Sequence, residues 1–150
     1  MWIKGTSNAP LAATLLHNTL VGQGTGTGIL AYEYVTLRLT NTIVASHTVG
    51  IVNTSPASST VHADHTLFWA NADNGISGTN PVFGNPRFLN PRGDDYHIGP
   101  NSAAIDAGVI GAEVTTDIDG DSRPIGEGYD IGADEFIHRI YLPLIARSSP

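Results

Sequence analysis

His17-Asn18-Thr19-Leu20-Val21 returns as Thr40-Asn41-Thr42-Ile43-Val44 and again as Asp64-His65-Thr66-Leu67-Phe68. The shared threonine steps from 19 to 42 (42 − 19 = 23) and then to 66 (66 − 42 = 24). A second marker keeps company with it: Gly28-Ile29, Gly50-Ile51 and Gly75-Ile76. A period within about 20–50 residues is the signature of a solenoid or another repeat array. The residues inside each unit decide which kind. Val, Ile, Leu and Thr alternate with polar residues at period two, the pattern of a half-buried strand. A helix would need apolar residues at i, i+3, i+4 and i+7, and the many Gly, Asn, Ser and Thr residues penalise it. Some 23 residues accommodate two or three short strands joined by tight turns, one rung of a parallel β-helix. Successive rungs then pair strand on strand about 4.8 Å apart.

The markers assign places within a rung. In the first coil Thr14 and Leu16 share one face, and Leu15 and His17 the other. Leu37 and Leu39 take the inward places one coil later with Arg38 outward, followed by Val61 and Ala63 with His62 outward. Leu20, Ile43 and Leu67 are expected to stack as one buried column. Asn18 and Asn41 are expected at one sharp corner, because Asn tolerates the left-handed backbone region, with their amides laddered along the axis. Gly28, Gly50 and Gly75 are read as a second corner, each followed by an inward isoleucine.

Composition agrees with such a fold. The chain has 150 residues, 41% hydrophobic and 14% charged, with Gly 17, Pro 9 and Cys 0. It is apolar enough for a core and turn-rich enough for short strands. Without cysteine there are no disulfides or thiolate metal ligands. The net charge of −7 is lopsided. Residues 1–93 sum to 4 − 3 = +1 and residues 94–150 to 3 − 11 = −8. No basic stripe invites nucleic acid. The longest late apolar run, Ile140 to Ala146, falls far below the roughly 20 residues of a membrane helix, so no transmembrane segment is expected. Met1-Trp2-Ile3-Lys4-Gly5 lacks the charged start and long apolar run of a signal peptide, so none is expected within these residues.

Near residue 81 the period fails. Asn80-Pro81-Val82-Phe83-Gly84-Asn85-Pro86 puts prolines where a central strand does not tolerate them. The expected organisation is therefore coils over 1–80, an irregular acidic cap over 81–137, since solenoids need polar terminal caps, and a short tail over 138–150.

That segment carries an ordered series of blocks: Asn85-Pro86-Arg87-Phe88-Leu89, Asp95-Tyr96-His97-Ile98, Asn101-Ser102-Ala103-Ala104-Ile105-Asp106-Ala107-Gly108, Thr116 to Pro124, and Asp130-Ile131-Gly132-Ala133-Asp134-Glu135-Phe136. The series resembles the C-terminal region of bacterial secreted right-handed parallel β-helix proteins, the pectate-lyase-like solenoids of "choice-of-anchor" type. It covers about a third of the chain. The Ile140-Tyr141-Leu142-Pro143-Leu144 tail is similar to short C-terminal tails of some exported bacterial proteins. The resemblance implies an all-β, right-handed parallel β-helix of about three coils, export, and an extracellular or cell-surface place, with extracellular polysaccharide or the cell envelope as partner. It implies no reaction, because the fold hosts lyases, hydrolases, adhesins and inert stalks. Such proteins carry many coils, so further coils upstream and an unpaired edge near Leu11 to Leu20 are expected.

Several constellations were candidates for chemistry. Asp117-x-Asp119-Gly120-Asp121 resembles the opening of a Ca²⁺ loop, since a hard cation collects six to eight oxygens. The glycine precedes the third Asp and no Glu stands at the twelfth position, so turn-capping by Asp117, Asp119 and Asp121, with Arg123 answering one of them, is the favoured reading. Tyr32 and Tyr34, taken as one face of a short strand, could stack on sugar rings. His62-Ala63-Asp64-His65 offers too few ligands to close a tetrahedral site. Gly22 to Gly28 lacks the Lys and helix that a phosphate loop needs. The coils show no cluster of acids and bases for catalysis, so no catalytic residue is assigned. The expected function is a non-catalytic C-terminal piece of an exported β-helix surface protein, structural or glycan-contacting. The alternative is the end of a polysaccharide lyase or glycoside hydrolase whose groove lies on upstream coils.

Overall fold

The structure is a computed structural model that describes residues 1–110 and 114–137. The expected tail over 138–150 lies outside the described residues.

Val35-Thr36-Leu37-Arg38-Leu39-Thr40 shows how a rung begins. Val35, Leu37 and Leu39 are buried while Thr36 and Arg38 are exposed, so the period-two pattern is a strand with one wet face. This strand, β5 (Val35–Thr40), lies between β2 (Leu11–Leu16) and β8 (Thr60–Asp64) in parallel. A second sheet stacks β3 (Thr19–Val21), β6 (Ile43–Ala45), β9 (Leu67–Trp69) and β11 (Val82–Phe83). The third stacks β1 (Trp2–Ile3), β4 (Thr27–Ala31), β7 (Val49–Asn53) and β10 (Asp73–Gly75). Every pairing within these three sheets is parallel. The molecule is a parallel β-solenoid of about three turns, enclosing Ile29, Val35, Leu37, Leu39, Val44, Ile51, Ala63 and Phe68.

The register corrects the first coil by one residue. Thr19, not Leu20, aligns with Ile43 and Leu67, and Leu20 aligns with Val44 and Phe68. The rise from β3 to β6 is thus 43 − 19 = 24 residues. The repeated threonine misled because Thr42 stands opposite Asn18 rather than Thr19. The same slip inverts the faces of β2: Ala13 and Leu15 align with the inward Leu37 and Leu39, while Thr14 aligns with Arg38. A one-residue shift exchanges every side chain between faces. The corner column is accordingly His17, Asn41 and His65, all left-handed at φ 49, 49 and 44°, and no Asn18–Asn41 ladder forms.

The glycine marker also moves. Gly28, Gly50 and Gly75 lie within β4, β7 and β10 rather than at a corner, and Gly75 aligns with Ile51. Gly28 leaves room for the His47 ring, since a Cβ there would meet His47 Cδ2 at 2.9 Å and Gly50 O at 2.8 Å. The true turn is the stretch before β4, where Gly24 and Gly26 take φ of 80 and 73°.

After β9 the period breaks, but a strand survives. Val82 and Phe83 pair with Leu67 and Phe68, only 82 − 67 = 15 residues later, at the edge of their sheet, where a flanking proline is tolerated. Phe83 stacks on Phe68 with centroids 6.1 Å apart. The described residues that follow form the antiparallel pair β12 (Phe88–Asn90) and β13 (Asp95–Ile98), joined by a 3₁₀ turn at Pro91–Gly93. The chain then runs irregularly along the outside of the β3-β6-β9-β11 sheet. Ile98, Ala104 and Ile131 are buried there against Ile43, Ala45 and Leu67. β6 is therefore buried on both faces, with Ile43, Val44 and Ala45 all fully enclosed.

Candidate functional site

The corner column is where this strap is fastened. A left-handed corner turns the side chains of His17 and Asn41 outward toward the strap. The Asn41 amide copies a backbone pair, accepting from Val109 N at 2.9 Å and donating to Val109 O at 2.7 Å. Its second N–H meets His17 Nε2 at 3.0 Å. His17 Nδ1 lies 3.2 Å from the Asp130 carbonyl and 3.1 Å from Arg123 Nη1. Burial, and next the Arg123 guanidinium 3.1 Å away, push His17 down to about 4. His17 is therefore neutral near pH 7.

Arg123 does not answer Asp117, Asp119 or Asp121. It pairs with Glu135 at 2.8 Å, both side chains sealed, and donates to the Gly132 carbonyl at 2.9 Å. Glu135 in turn accepts from Ile125 N and Asp130 N, both at 2.9 Å. Asp130 accepts from Asp106 N and Phe136 N, each at 2.7 Å. Desolvation, with the charges of Glu135 and Asp106 adding to it, holds Asp130 up at about 6. Asp106 accepts from Glu127 N at 2.9 Å and Gly128 N at 2.7 Å. These carboxylates stand in for a sheet: they take the N–H groups of a segment that has no strand partner.

The candidate calcium residues part company. Asp117 accepts from Asp119 N and Asp121 N through one oxygen and from Glu135 N through the other. Asp119 turns instead toward His97, with Oδ2 3.1 Å from Nε2. Asp134 joins them, so that one ligand atom each from His97, Asp119 and Asp134 falls within 4.8 Å of the others, the one such group among the described residues. Asp95 holds the far side of the imidazole, Oδ1 to Nδ1 at 2.6 Å. That hydrogen bond foremost holds the His97 pKa above its usual value. The pair Asp95-x-His97 was visible in sequence, since residues two apart on a strand share a face. Asp119 was singled out only as part of the acidic loop, and nothing local tied it or Asp134 to His97.

Tyr32 and Tyr34 fall in the turn between β4 and β5, not on a strand, with Tyr34 left-handed at φ 56° and exposed. A separate open groove of about 430 Å³ lies where the strap meets the sheet, lined by Val21, Ser46, Trp69, Asn85, Arg87, Phe88 and Pro91. Trp69 is 40% exposed there, and Arg87 Nε is tied to the Asn101 carbonyl at 3.0 Å. His65 bonds its neighbour Asp64 at 3.0 Å. Among the described residues no helix is long and apolar enough to cross a membrane.

Coils and strap together define the class, a parallel β-solenoid with a carboxylate-pinned flank. Comparison with family models, curated proteins and solved structures gives no match to this chain.

Proposed function

We propose that this chain is a structural module of an exported β-helix surface protein, of the pectate-lyase-like, choice-of-anchor type, and that it contacts glycan without acting on it. The observation that carries this reading is how the acidic residues are used. Asp106, Asp117, Asp130 and Glu135 accept backbone N–H groups of the strap, and Glu135 also neutralises Arg123. Groups committed to holding backbone are poorly placed to move protons on a substrate.

The groove beside Trp69 supports the glycan half. A groove lined by Trp69, Asn85 and Arg87 offers the aromatic and polar groups that suit a sugar ring, whose C–H face is apolar and whose rim is hydroxylated. Affinity electrophoresis in gels cast with acidic and neutral polysaccharides tests it. Retardation is expected in at least one gel, weakened roughly 3- to 10-fold by Trp69→Ala, with no ultraviolet absorbance of unsaturated uronides and no new reducing ends. Mobility unchanged in every gel would end the glycan reading, and product formation would end the non-catalytic one.

A further inference from the structure

His97, Asp119 and Asp134 come from three separate stretches of the strap: β13, the turn that follows Asp117, and the segment that carries Glu135. Each is oriented by something other than the cluster. Asp95 fixes the His97 ring through Nδ1 at 2.6 Å. The Ile98 N–H fixes Asp134 at 2.7 Å. Asp119 stands on a turn closed by its own N–H to Asp117 at 2.9 Å. What they converge on is the Nε2 atom of His97, which is itself sealed from solvent although the imidazole as a whole is 38% exposed. Asp119 Oδ2 faces it as an ion-pair partner at 3.1 Å.

We propose that these three side chains form a divalent-cation site of the zinc class, using His97 Nε2 and one oxygen from each carboxylate, with water completing the set. A carboxylate on the far nitrogen of a histidine is the usual support of a metal-bound imidazole, fixing its tautomer and ring angle. An ion with bonds of about 2.0–2.1 Å sets tetrahedral ligand atoms on the order of 3.3 Å apart, close to the 3.1 Å separation of Nε2 and Oδ2. The imidazole nitrogen selects against Ca²⁺ and Mg²⁺, which prefer oxygen throughout. On binding, Nε2 gives its lone pair to the ion, and any proton it carried leaves to solvent. The dication also balances the charges of Asp119 and the buried Asp134. The proposed site shares Asp119 with the Asp117-Asp119-Asp121 loop but takes its other ligands from His97 and Asp134, and it does not rest on the glycan reading.

Calorimetric titration of the full chain with ZnCl₂, in parallel with CaCl₂, is the direct test. One Zn²⁺ per chain is expected, bound more tightly than Ca²⁺. Asp119→Asn, at a side chain 53% exposed, should retain the fold and lose the binding. His97→Gln should lose it too, and Asp95→Asn should weaken it about 10- to 100-fold. Saturating Zn²⁺ should raise the melting temperature of the unmodified chain by on the order of 5 °C and leave Asp119→Asn unmoved. His62→Ala serves as the control for the other histidine-bearing stretch and should bind as before. No Zn²⁺ binding, binding undiminished in Asp119→Asn, preference for Ca²⁺, or loss in His62→Ala would each overturn the proposal. If His97→Gln does not fold by circular dichroism, Asp119→Asn alone decides.

Discussion

At the scale of single residues, two buried groups on either side of Arg123 are set against each other. His17 is held neutral at about 4, by burial first and Arg123 second. Asp130 is held up at about 6 by burial. The charged and titratable groups that face them are Arg123, Glu135 and Asp106, with the Tyr129 ring 5.7 Å from His17. The unfolded chain takes a proton on histidine at higher pH than the fold does, so His17 removes stability as pH falls from 6.5 to about 4. Asp130 runs the other way, because the fold binds its proton below about 6 and the unfolded chain waits until 3.8. Between about 6 and 4 the two contributions oppose. Asp130→Asn should therefore make stability fall more steeply on acidification through that window, and His17→Asn should make it fall less or even rise. Denaturant melts at several pH values read this from the slopes, so a general loss from either substitution does not interfere. Parallel slopes for all three proteins would contradict the assigned shifts.

Elements show why some of the fold was legible and some was not. β5 declared itself, since Val35, Leu37 and Leu39 alternate with residues that face water. The solenoid followed from strands of that kind recurring at an interval too short for a domain. Register across the first coil was harder. The Thr-containing phrase first recurs after 23 residues while β2 and β3 pair with β5 and β6 at 24, and only inter-strand hydrogen bonds distinguish the two. β6 could not be read by alternation at all, because Ile43, Val44 and Ala45 are buried on two sides by different partners. The strap was legible as acidic and irregular, but the roles of its carboxylates depend on backbone N–H groups brought together only by folding. The same is true of the His97 group, of which sequence singled out Asp119 alone. A consequence for β6 is measurable. Ile43→Ala should cost about 2–5 kcal/mol, as for other fully buried large-to-small changes, whereas Leu89→Ala, at a residue 60% exposed, should cost well under half of that. Urea titrations giving equal losses would show that the strap does not seal this face.

For the whole molecule, the three sheets end differently. β1 covers β4 on one side of the first turn, yet among the described residues β2 pairs with β5 alone and offers its other edge, with Leu11, Ala12 and Thr14 exposed. Unpaired parallel edges recruit further strands. The chain should associate as its concentration rises, and Ala12→Lys should suppress this by placing a charge on that edge. Sedimentation velocity across a dilution series reports it, and identical behaviour of the two proteins would place any association elsewhere. The strap has a different consequence. Solenoids lengthen in evolution by duplicating rungs, because each rung ordinarily touches only its neighbours. Here Ala133 N–H is bound to the Thr19 hydroxyl at 3.0 Å, Gly132 N–H to the Asn41 carbonyl at 2.9 Å, and Ile131 lies in one apolar cluster with Leu67. One inserted rung between these points would carry Thr19 about 4.8 Å beyond reach. Duplication between β3 and β9 would have to be matched by added length in a strap that has no repeat of its own. The flank thus acts as a gauge that counts rungs, and growth of this architecture is confined to the turns that the gauge does not span.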